Sequence, residues 1–209
     1  MGELGAGKIV LPARGVHGLD WPVMRCLSRL PILFLILFGG WLRAEPLHVE
    51  KGDSIVILGN TFAERMQLFG YFETFLHSRF PDHQLRVRNM GWSADEVDKR
   101  IRPLGFPELF AELEEHRADL LFLCFGLNES FQGTAGVDHY KAELGNFLNE
   151  LQRRKFNGES APRIVLVSPI PFEDLGDGSP DGAEENHRIR LYSEASEAVA
   201  REHGARFLD

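Results

Sequence analysis

The sequence predicts an α/β fold, a three-layer α/β/α sandwich built on a central parallel sheet of five strands. Short apolar segments alternate with longer amphipathic ones over residues 45–209. Near-continuous apolar runs are typical of strands buried on both faces, and strand–helix alternation is typical of a parallel sheet covered by helices. The composition agrees, because 44% hydrophobic and 26% charged residues suit one packed globular domain.

Each strand is predicted at a short apolar run. The five runs are Ser54–Leu58 (SIVIL), Gln84–Arg88 (QLRVR), Asp119–Phe125 (DLLFLCF), Arg163–Val167 (RIVLV) and Ala205–Leu208 (ARFL). Amphipathic stretches predict helices near residues 62–79, 93–115, 138–155 and 184–203. Residues 153–162 and 174–182 are rich in Gly, Pro, Asn and Asp and predict surface loops. We expect these elements to form a single domain whose last helix, after the fifth strand, is missing.

The first 44 residues precede this pattern and predict an export signal. A short basic segment at residues 24–29 is followed by the apolar run 30–42 and by the small residue Ala44. This order is typical of a cleavable secretory signal, and the run is shorter than the ~20 residues that a membrane-spanning helix needs. We expect a true start at Met24, cleavage after Ala44 and a secreted or periplasmic domain with no stable membrane span. An uncleaved anchor and a buried element are the alternatives.

The net charge limits the classes of binding partner that we expect, and the cysteine content indicates whether a disulfide can form. The formal net charge is −8 and becomes −11 for residues 45–209. An acidic chain is repelled by phosphate backbones and anionic lipid, which argues against nucleic acid or a membrane surface as the main partner. Of the two cysteines, Cys26 would leave with the signal and Cys124 lies in an apolar run. We therefore expect no disulfide and a buried Cys124.

Three polar, glycine-containing loops follow the first three predicted strands. In the flavodoxin-like strand order 2-1-3-4-5, ligands bind beyond the carboxyl ends of the strands, between the first and the third. The loops read Gly59-Asn60-Thr61, Asn89-Met90-Gly91-Trp92-Ser93 and Gly126-Leu127-Asn128-Glu129. In order and spacing these blocks resemble those of the SGNH hydrolase superfamily, the GDSL-type esterases and lipases.

The resemblance implies a hydrolase that acts on acyl or acetyl esters, those of carbohydrates included, through a nucleophile and an oxyanion hole. Thr61 stands at the nucleophile position, where the family has Ser, and Asn60 replaces the neighbouring Asp. A threonine hydroxyl attacks a carbonyl once a base takes its proton, although its methyl group stiffens χ1. Gly91 and Asn128 match the oxyanion-hole positions, with the Thr61 N–H as a third donor. The supporting positions are held by Gly59, Asn60, Gly126 and Glu129.

Ordinary structural roles remain open for the same residues. Thr61, with Glu64 three residues later, also predicts a helix N-cap with a capping box. Gly91 suits a tight turn, and Asn128 suits a turn that stabilises its own loop. These roles are compatible with the family roles.

Other polar residues near these loops are interpreted as structural. Ser93 and Asp95 are predicted to cap the second helix. The literal Gly-Asp-Ser at residues 52–54 precedes the first strand, whereas the family's nucleophile follows it, so Ser54 is interpreted as a residue of the strand start. The chain has no Gly-x-Ser-x-Gly elbow, so an α/β-hydrolase assignment has no support.

The general base that such a nucleophile needs is not evident. The family supplies it from an Asp-x-x-His block after the fifth strand, whereas this sequence stops at Asp209. We expect the base to lie downstream, in a longer exported protein with further domains, and the chain as given to be inactive. His187, near the start of the fourth predicted helix, is the one surrogate base, against its alternative as a solvated helix residue.

Two other functional classes stay open. A non-catalytic ligand-binding domain would keep the crevice and have lost the serine and the base. A flavin-binding module would need a phosphate-cradling loop rich in Ser, Thr and Gly, and residues 59–65 offer little of that. We expect no cofactor and no metal site, and a small-molecule or glycan ester as the substrate.

Overall fold

The computed structural model describes residues 47–176, 178 and 182–209. The predicted signal, its cleavage site and part of the predicted loop 174–182 lie outside these residues. The strands are β1 (Ser54–Gly59), β2 (Arg86–Asn89), β3 (Leu120–Cys124), β4 (Arg163–Val167) and β5 (Arg206–Leu208). The helices are α1 (Thr61–Phe69), α2 (Tyr71–Arg79), α3 (Leu109–Glu115), α4 (Leu127–Ser130), α5 (Val137–Gln152) and α6 (Ala183–Glu202), with a 3₁₀ turn at Gly133–Gly136. In the described ranges, no helix has the length and apolar character needed to cross a bilayer.

The five strands form one parallel sheet in the predicted order, β2-β1-β3-β4-β5. Ile55 of β1 pairs with Val87 of β2 on one side and with Leu120 of β3 on the other. β1 and β3 are buried along their whole length because helices cover both faces of the sheet. Leu76 of α2 belongs to the core on one face, and Leu148 of α5 belongs to the core on the other. This layering brings the loops after β1, β2 and β3 to one edge of the sheet.

The helix predicted near residues 93–115 forms only at its end, as α3, and the prediction is wrong for residues 93–108. Ala94 has a positive φ of +66°, and Pro103 and Pro107 lack the N–H that a helix interior uses. Ser93 and Asp95 therefore cap no helix, which corrects that prediction. Residues 93–108 instead form an irregular segment beside the predicted crevice.

The other helix and strand predictions are confirmed, except that one predicted helix is divided into two. The stretch near residues 62–79 is two helices, because Gly70 adopts φ +59° and its N–H donates to the Met66 carbonyl at the end of α1. The stretches near 138–155 and 184–203 are α5 and α6. Every predicted strand matches an observed one within two residues at each end.

Candidate active site

The loops after β1, β2 and β3 are joined to one another by backbone hydrogen bonds. The Asn60 N–H donates to the Cys124 carbonyl (3.2 Å), which joins the end of β1 to the end of β3. The Trp92 N–H donates to the Gly59 carbonyl (2.9 Å), which joins the β2 loop to the end of β1. The three blocks predicted from the sequence therefore lie together at one sheet edge.

The junction between β1 and α1 places Thr61 in the first turn of the helix. Gly59 has φ +146°, and a Cβ there would lie 2.3 Å from the Cys124 carbonyl oxygen, so only glycine allows this approach of β1 to β3. Asn60 is buried, with 1% of its surface exposed, and its Oδ1 accepts from the Phe62 N–H (3.0 Å). Asn60 is thus the N-cap, and Thr61 is the first helical residue.

The prediction that Thr61 caps this helix is wrong. Its neighbour Asn60 has the extended backbone and the side-chain hydrogen bond of the cap. The Glu64 carboxylate accepts from the Ser93 hydroxyl of the β2 loop, so that side chain joins two loops. Thr61 is half-buried, and its hydroxyl makes no hydrogen bond with another described residue. The hydroxyl is therefore not committed to holding the helix.

Gly91 packs the β2 loop against the first turn of α1. A Cβ on Gly91 would lie 2.5 Å from the Glu64 nitrogen. The Gly91 N–H donates to Asn89 Oδ1 (2.8 Å), and Asn89 Nδ2 donates to the Ala63 carbonyl (2.7 Å). The backbone donor predicted at Gly91 therefore already has an acceptor within the protein.

Ala94 is a candidate oxyanion donor that the sequence analysis missed. Its φ of +66° is one of three positive values at non-glycine residues in the described chain. Its N–H makes no hydrogen bond with another described residue. Non-glycine residues in this conformation are uncommon and concentrate at functional sites. The evidence for this role is the backbone dihedral, and the presence of an alanine in the sequence does not predict a positive φ.

The block after β3 is held by a buried carboxylate. Glu129 is 4% exposed, and its two oxygens accept from the Gly126 N–H (2.9 Å) and the Val97 N–H (3.0 Å). Burial raises the pKa of Glu129, and these two hydrogen bonds oppose that effect. The neighbouring Asn128 donates from Nδ2 to the Asp95 carbonyl (3.3 Å). Both side chains therefore connect the β3 loop to the β2 loop.

A cleft of about 830 Å³ lies beside these loops, on the β2 side of the site. Its volume is in the range of small-molecule pockets. Gly59 and Gly91 line it, so it adjoins the β1–α1 junction, whereas Thr61 and Asn128 are not among its lining residues. The aromatic lining residues are Trp92, Phe106, Phe110 and Phe125, and the charged ones are Glu64, Arg88, Asp95, Asp98, Arg100, Arg102, Glu108 and Glu112.

The structure brings none of the described histidines into hydrogen-bonding contact with Thr61. His187 is exposed on α6 and makes no hydrogen bond or ion pair within the described chain. His139 lies 3.4 Å from a carboxylate oxygen of Asp98, on the surface. No group of three or more metal-ligating side chains occurs among the described residues. Acid–base chemistry at Thr61 therefore needs a group that these contacts do not provide.

Ser54 and Cys124 have the structural roles predicted for them. Ser54 lies at the amino end of β1, where its hydroxyl donates to the His116 carbonyl (2.6 Å) and its N–H donates to Asp119 Oδ2 (2.8 Å). The literal Gly-Asp-Ser is thus at the sheet edge opposite the candidate site. Cys124 is buried as a free thiol, and burial raises its pKa to about 12.

Comparison with known proteins identifies the family. A model of the GDSL-like lipase/acylhydrolase family matches residues 52–209, and no curated protein matches the chain. A catalytic mutant of Axe2, an acetylxylan esterase from Geobacillus stearothermophilus, is similar with a TM-score of 0.55 at 18% identity, over 78% of each chain. Est24, a carbohydrate acetylesterase from Sinorhizobium meliloti, has a TM-score of 0.54 at 15% identity, over 75% of this chain and 83% of its own. The aryl esterase of M. smegmatis has a TM-score of 0.56 at 16% identity, over 76% and 84%.

At these identities the structural likeness establishes the fold, a parallel five-stranded sheet between helical layers. The family match adds the identity, because it spans most of the chain and includes all three blocks at the sheet edge. The chain therefore belongs to the GDSL-like lipase/acylhydrolase family, the SGNH esterases.

Proposed function

We propose that this protein is an exported SGNH-type hydrolase that acts on acyl or acetyl esters, including those of carbohydrates. The observation that carries the proposal is the convergence of three loops at the N-terminus of α1, beside a cleft of about 830 Å³. Unpaired N–H groups of a helix's first turn favour negative charge, so an ester carbonyl bound there gains stabilisation as its oxygen becomes anionic.

The proposed reaction is acyl transfer to Thr61 followed by hydrolysis. Thr61 Oγ attacks the ester carbonyl carbon while its proton passes to a general base. The oxyanion that forms accepts from the Thr61 N–H, from the Ala94 N–H and from the N–H of Asn128 Nδ2 that does not bind the Asp95 carbonyl, since the single Gly91 N–H is held by Asn89. The C–O bond then breaks and the alcohol leaves with the proton. Water, deprotonated by the same base, attacks the acyl-threonine, which releases the carboxylic acid and restores the hydroxyl.

The character of the cleft supports a bulky polar alcohol group on the substrate. Both aromatic and charged side chains line its wall, a mixture that suits a ligand with apolar surface and several polar groups. Two of the similar structures are described as an acetylxylan esterase and a carbohydrate acetylesterase. We extend that substrate class, an acetylated glycan, to this chain as part of the proposal.

The proposal assigns the base to an Asp-x-x-His block encoded downstream of Asp209, with His187 as the alternative. A base must come within hydrogen-bond reach of the Thr61 hydroxyl in the substrate complex. His187 lies on α6, whose first turn follows the carboxyl end of β4, so it starts at the same sheet edge as Thr61. A His187→Gln variant of the complete protein distinguishes the two, because only a base role makes it inactive.

The test is hydrolysis of acetylated xylo-oligosaccharide and of a short aryl ester by the complete protein. We expect Thr61→Ala to lower kcat on the order of 10³-fold or more, as loss of a nucleophile does. Asn128→Ala should lower kcat about 10²–10³-fold, as loss of one oxyanion donor does. Thr74→Ala is the matched control, because Thr74 is an exposed threonine of α2. Equal rates for the wild type and Thr61→Ala would refute the role of Thr61.

One observation favours a rival function, a non-catalytic binding domain. The Thr61 hydroxyl has no hydrogen-bonding partner among the described residues, so no base is in place to activate it. The rival predicts that wild type and Thr61→Ala are both inactive yet bind the same acetylated glycan with equal affinity. Restoration of hydrolysis by Thr61→Ser would support descent from an active esterase.

Export is the remaining part of the proposal. Residues 24–44 have the composition of a cleavable signal, and the domain that follows is acidic. The N-terminal sequence of the protein recovered outside the cytoplasm should begin at Glu45. Recovery of the unprocessed chain in the cytoplasm alone would refute export.

A further inference from the structure

Arg102 is held from three sides at the wall of the cleft. Its guanidinium makes a two-pronged contact with Asp95, with Nη1–Oδ1 and Nη2–Oδ2 distances of 2.6 Å each. The same group lies over the Trp92 ring, 4.7 Å from its centroid, and 5.6 Å from the Phe106 centroid. Trp92 and Phe106 meet edge to face at 5.5 Å. The irregular segment after β2 therefore folds back on itself around this side chain.

Asp95 is buried, and its backbone touches the proposed oxyanion hole. Its side chain is 4% exposed, and its N–H donates to the Trp92 carbonyl (3.1 Å) to close a turn that contains Ala94. Its carbonyl oxygen accepts from Asn128 Nδ2 (3.3 Å). The two donors assigned to the oxyanion hole in this region, the Ala94 N–H and the Asn128 amide, thus both depend on where Asp95 sits.

We propose that Arg102 is the positioning residue of the oxyanion hole, acting through Asp95 on Ala94 and Asn128. This inference rests on the proposed function. A carboxylate that is buried without a cation turns toward water, because an unpaired buried charge is costly. The turn at Ala94 would move with it, and Asn128 would lose its acceptor. Arg102 prevents this by holding both carboxylate oxygens at once.

Among the described residues, Arg102 is the cation that makes an ion pair with Asp95. Arg100 also attracts the Asp95 carboxylate electrostatically, but its guanidinium donates to the Val97 carbonyl and lies over the Phe147 ring at 4.7 Å. Arg88 lines the same cleft but makes no ion pair within the described chain. A lysine at position 102 would keep the charge and lose the planar fork that matches a carboxylate and stacks on aromatic rings.

The experiment compares kcat and KM of the complete protein with those of Arg102→Gln and Arg102→Lys. The substrate is the short aryl ester, which lacks the glycan that the cleft wall is proposed to bind. Oxyanion donors act on the transition state, so kcat should fall about 10–10³-fold while KM stays within about two-fold. Lys should restore part of the loss. Arg201→Gln is the control, since Arg201 pairs with Glu197 (2.8 Å) on the exposed face of α6, and its kcat should match the wild type.

A double-mutant cycle with Asn128→Ala separates positioning from a loss of folded protein. If Arg102 acts through Asn128, the combined variant loses much less than the product of the two single losses. Multiplicative losses, or an unchanged kcat in Arg102→Gln while the wild type is active, would overturn the inference and leave the proposed function standing.

A measurement without substrate distinguishes failure of the inference from failure of the proposed function. In nitrogen-15 spectra, Arg102→Lys should move the Ala94 backbone amide and the Asn128 side-chain amide, whereas Arg201→Gln should move neither. Unmoved amides overturn the inference whatever the activity. Moved amides in a wild type that hydrolyses no ester support the positioning of the two donors by Arg102 and refute the proposed function alone.

Discussion

Gly59→Ala tests the claim that the β1–α1 junction is built on the close approach of two strands. The added Cβ would lie 2.3 Å from the Cys124 carbonyl oxygen and 2.7 Å from Cys124 Cβ. Position 59 also has φ +146°, a region that L side chains rarely adopt. The substitution therefore combines backbone strain with overlap against a neighbouring strand, and it acts directly before Asn60 and Thr61.

The expected loss of stability is the sum of the backbone strain and the steric overlap. Backbone strain at such a dihedral costs about 1–3 kcal/mol, and overpacking in a tight core costs a further ~1–3 kcal/mol. The free energy of unfolding should thus fall by about 2–6 kcal/mol, a large share of the ~5–15 kcal/mol of a typical domain. For a domain of this size, each kcal/mol lowers Tm by roughly 2–4 °C. A fall on the order of 10 °C is expected.

The matched control is Gly52→Ala at the other end of the same strand. Gly52 has φ +88°, and nothing lies within 4 Å of an added Cβ, so this variant carries the backbone strain alone. Urea unfolding of both variants should show Gly59→Ala to be less stable by at least ~1 kcal/mol. Cys124→Ala should not rescue it, because the overlapping atoms are the backbone and Cβ of Cys124. Equal losses in the two glycine variants would refute the close-approach argument.

Two further predictions concern buried groups. The raised pKa of Glu129 means that its contribution to stability is fully present below the ordinary glutamate pKa, about 4.3, and is lost as pH rises through the higher folded-state pKa. Glu129→Gln leaves one of two N–H donors unpaired, so its free energy of unfolding should be lower than that of the wild type by about 1–3 kcal/mol at low pH, and by less as pH rises. Denaturation of both proteins across that pH range measures the difference, and a difference that widens with pH contradicts the prediction. Burial raises the Cys124 pKa to about 12, so iodoacetamide at pH 8 should label the Cys124 peptide only after guanidinium unfolding, and rapid labelling of the native protein would contradict the burial.

The sheet could be predicted from sequence because its central strands β1, β3 and β4 are apolar on both faces. Ser54–Leu58 and Arg163–Val167 lie within continuous apolar runs whose burial requires helices above and below. Residues 93–108 misled the prediction because their apolar side chains recur at helical spacing. In the structure Val97 is buried in the core whereas Ile101 and Leu104 are exposed, so these side chains form no buried helix face, and two prolines prevent a regular helix.

The candidate site could be predicted only as far as its position along the strands. The carboxyl ends of neighbouring parallel strands meet at one edge of the sheet, so the strand order alone predicts that the three blocks lie close together. Asn60 and Thr61 are both good N-cap residues, and sequence alone does not say which of them is the last extended residue. The bond from the Asn60 N–H to Cys124 decides it, and that contact spans 64 residues. Ala94 and the Asp95–Arg102 pair likewise exist only once the loop has folded back.

The contacts that hold the site do not involve the hydroxyl that would react. Asn60 caps α1, Asn89 joins the β2 loop to α1, and Glu129 joins the β3 loop to the β2 loop. None of these hydrogen bonds uses the side chain of residue 61, so they form equally with Thr, Ser or Ala at that position. The fold therefore does not require a hydroxyl there. The same fold therefore suits an esterase and a binding domain, and the Thr61 hydroxyl is the group that separates the two functions. For the same reason, any activity lost in Thr61→Ala reports on the chemistry of that hydroxyl and not on a collapsed site.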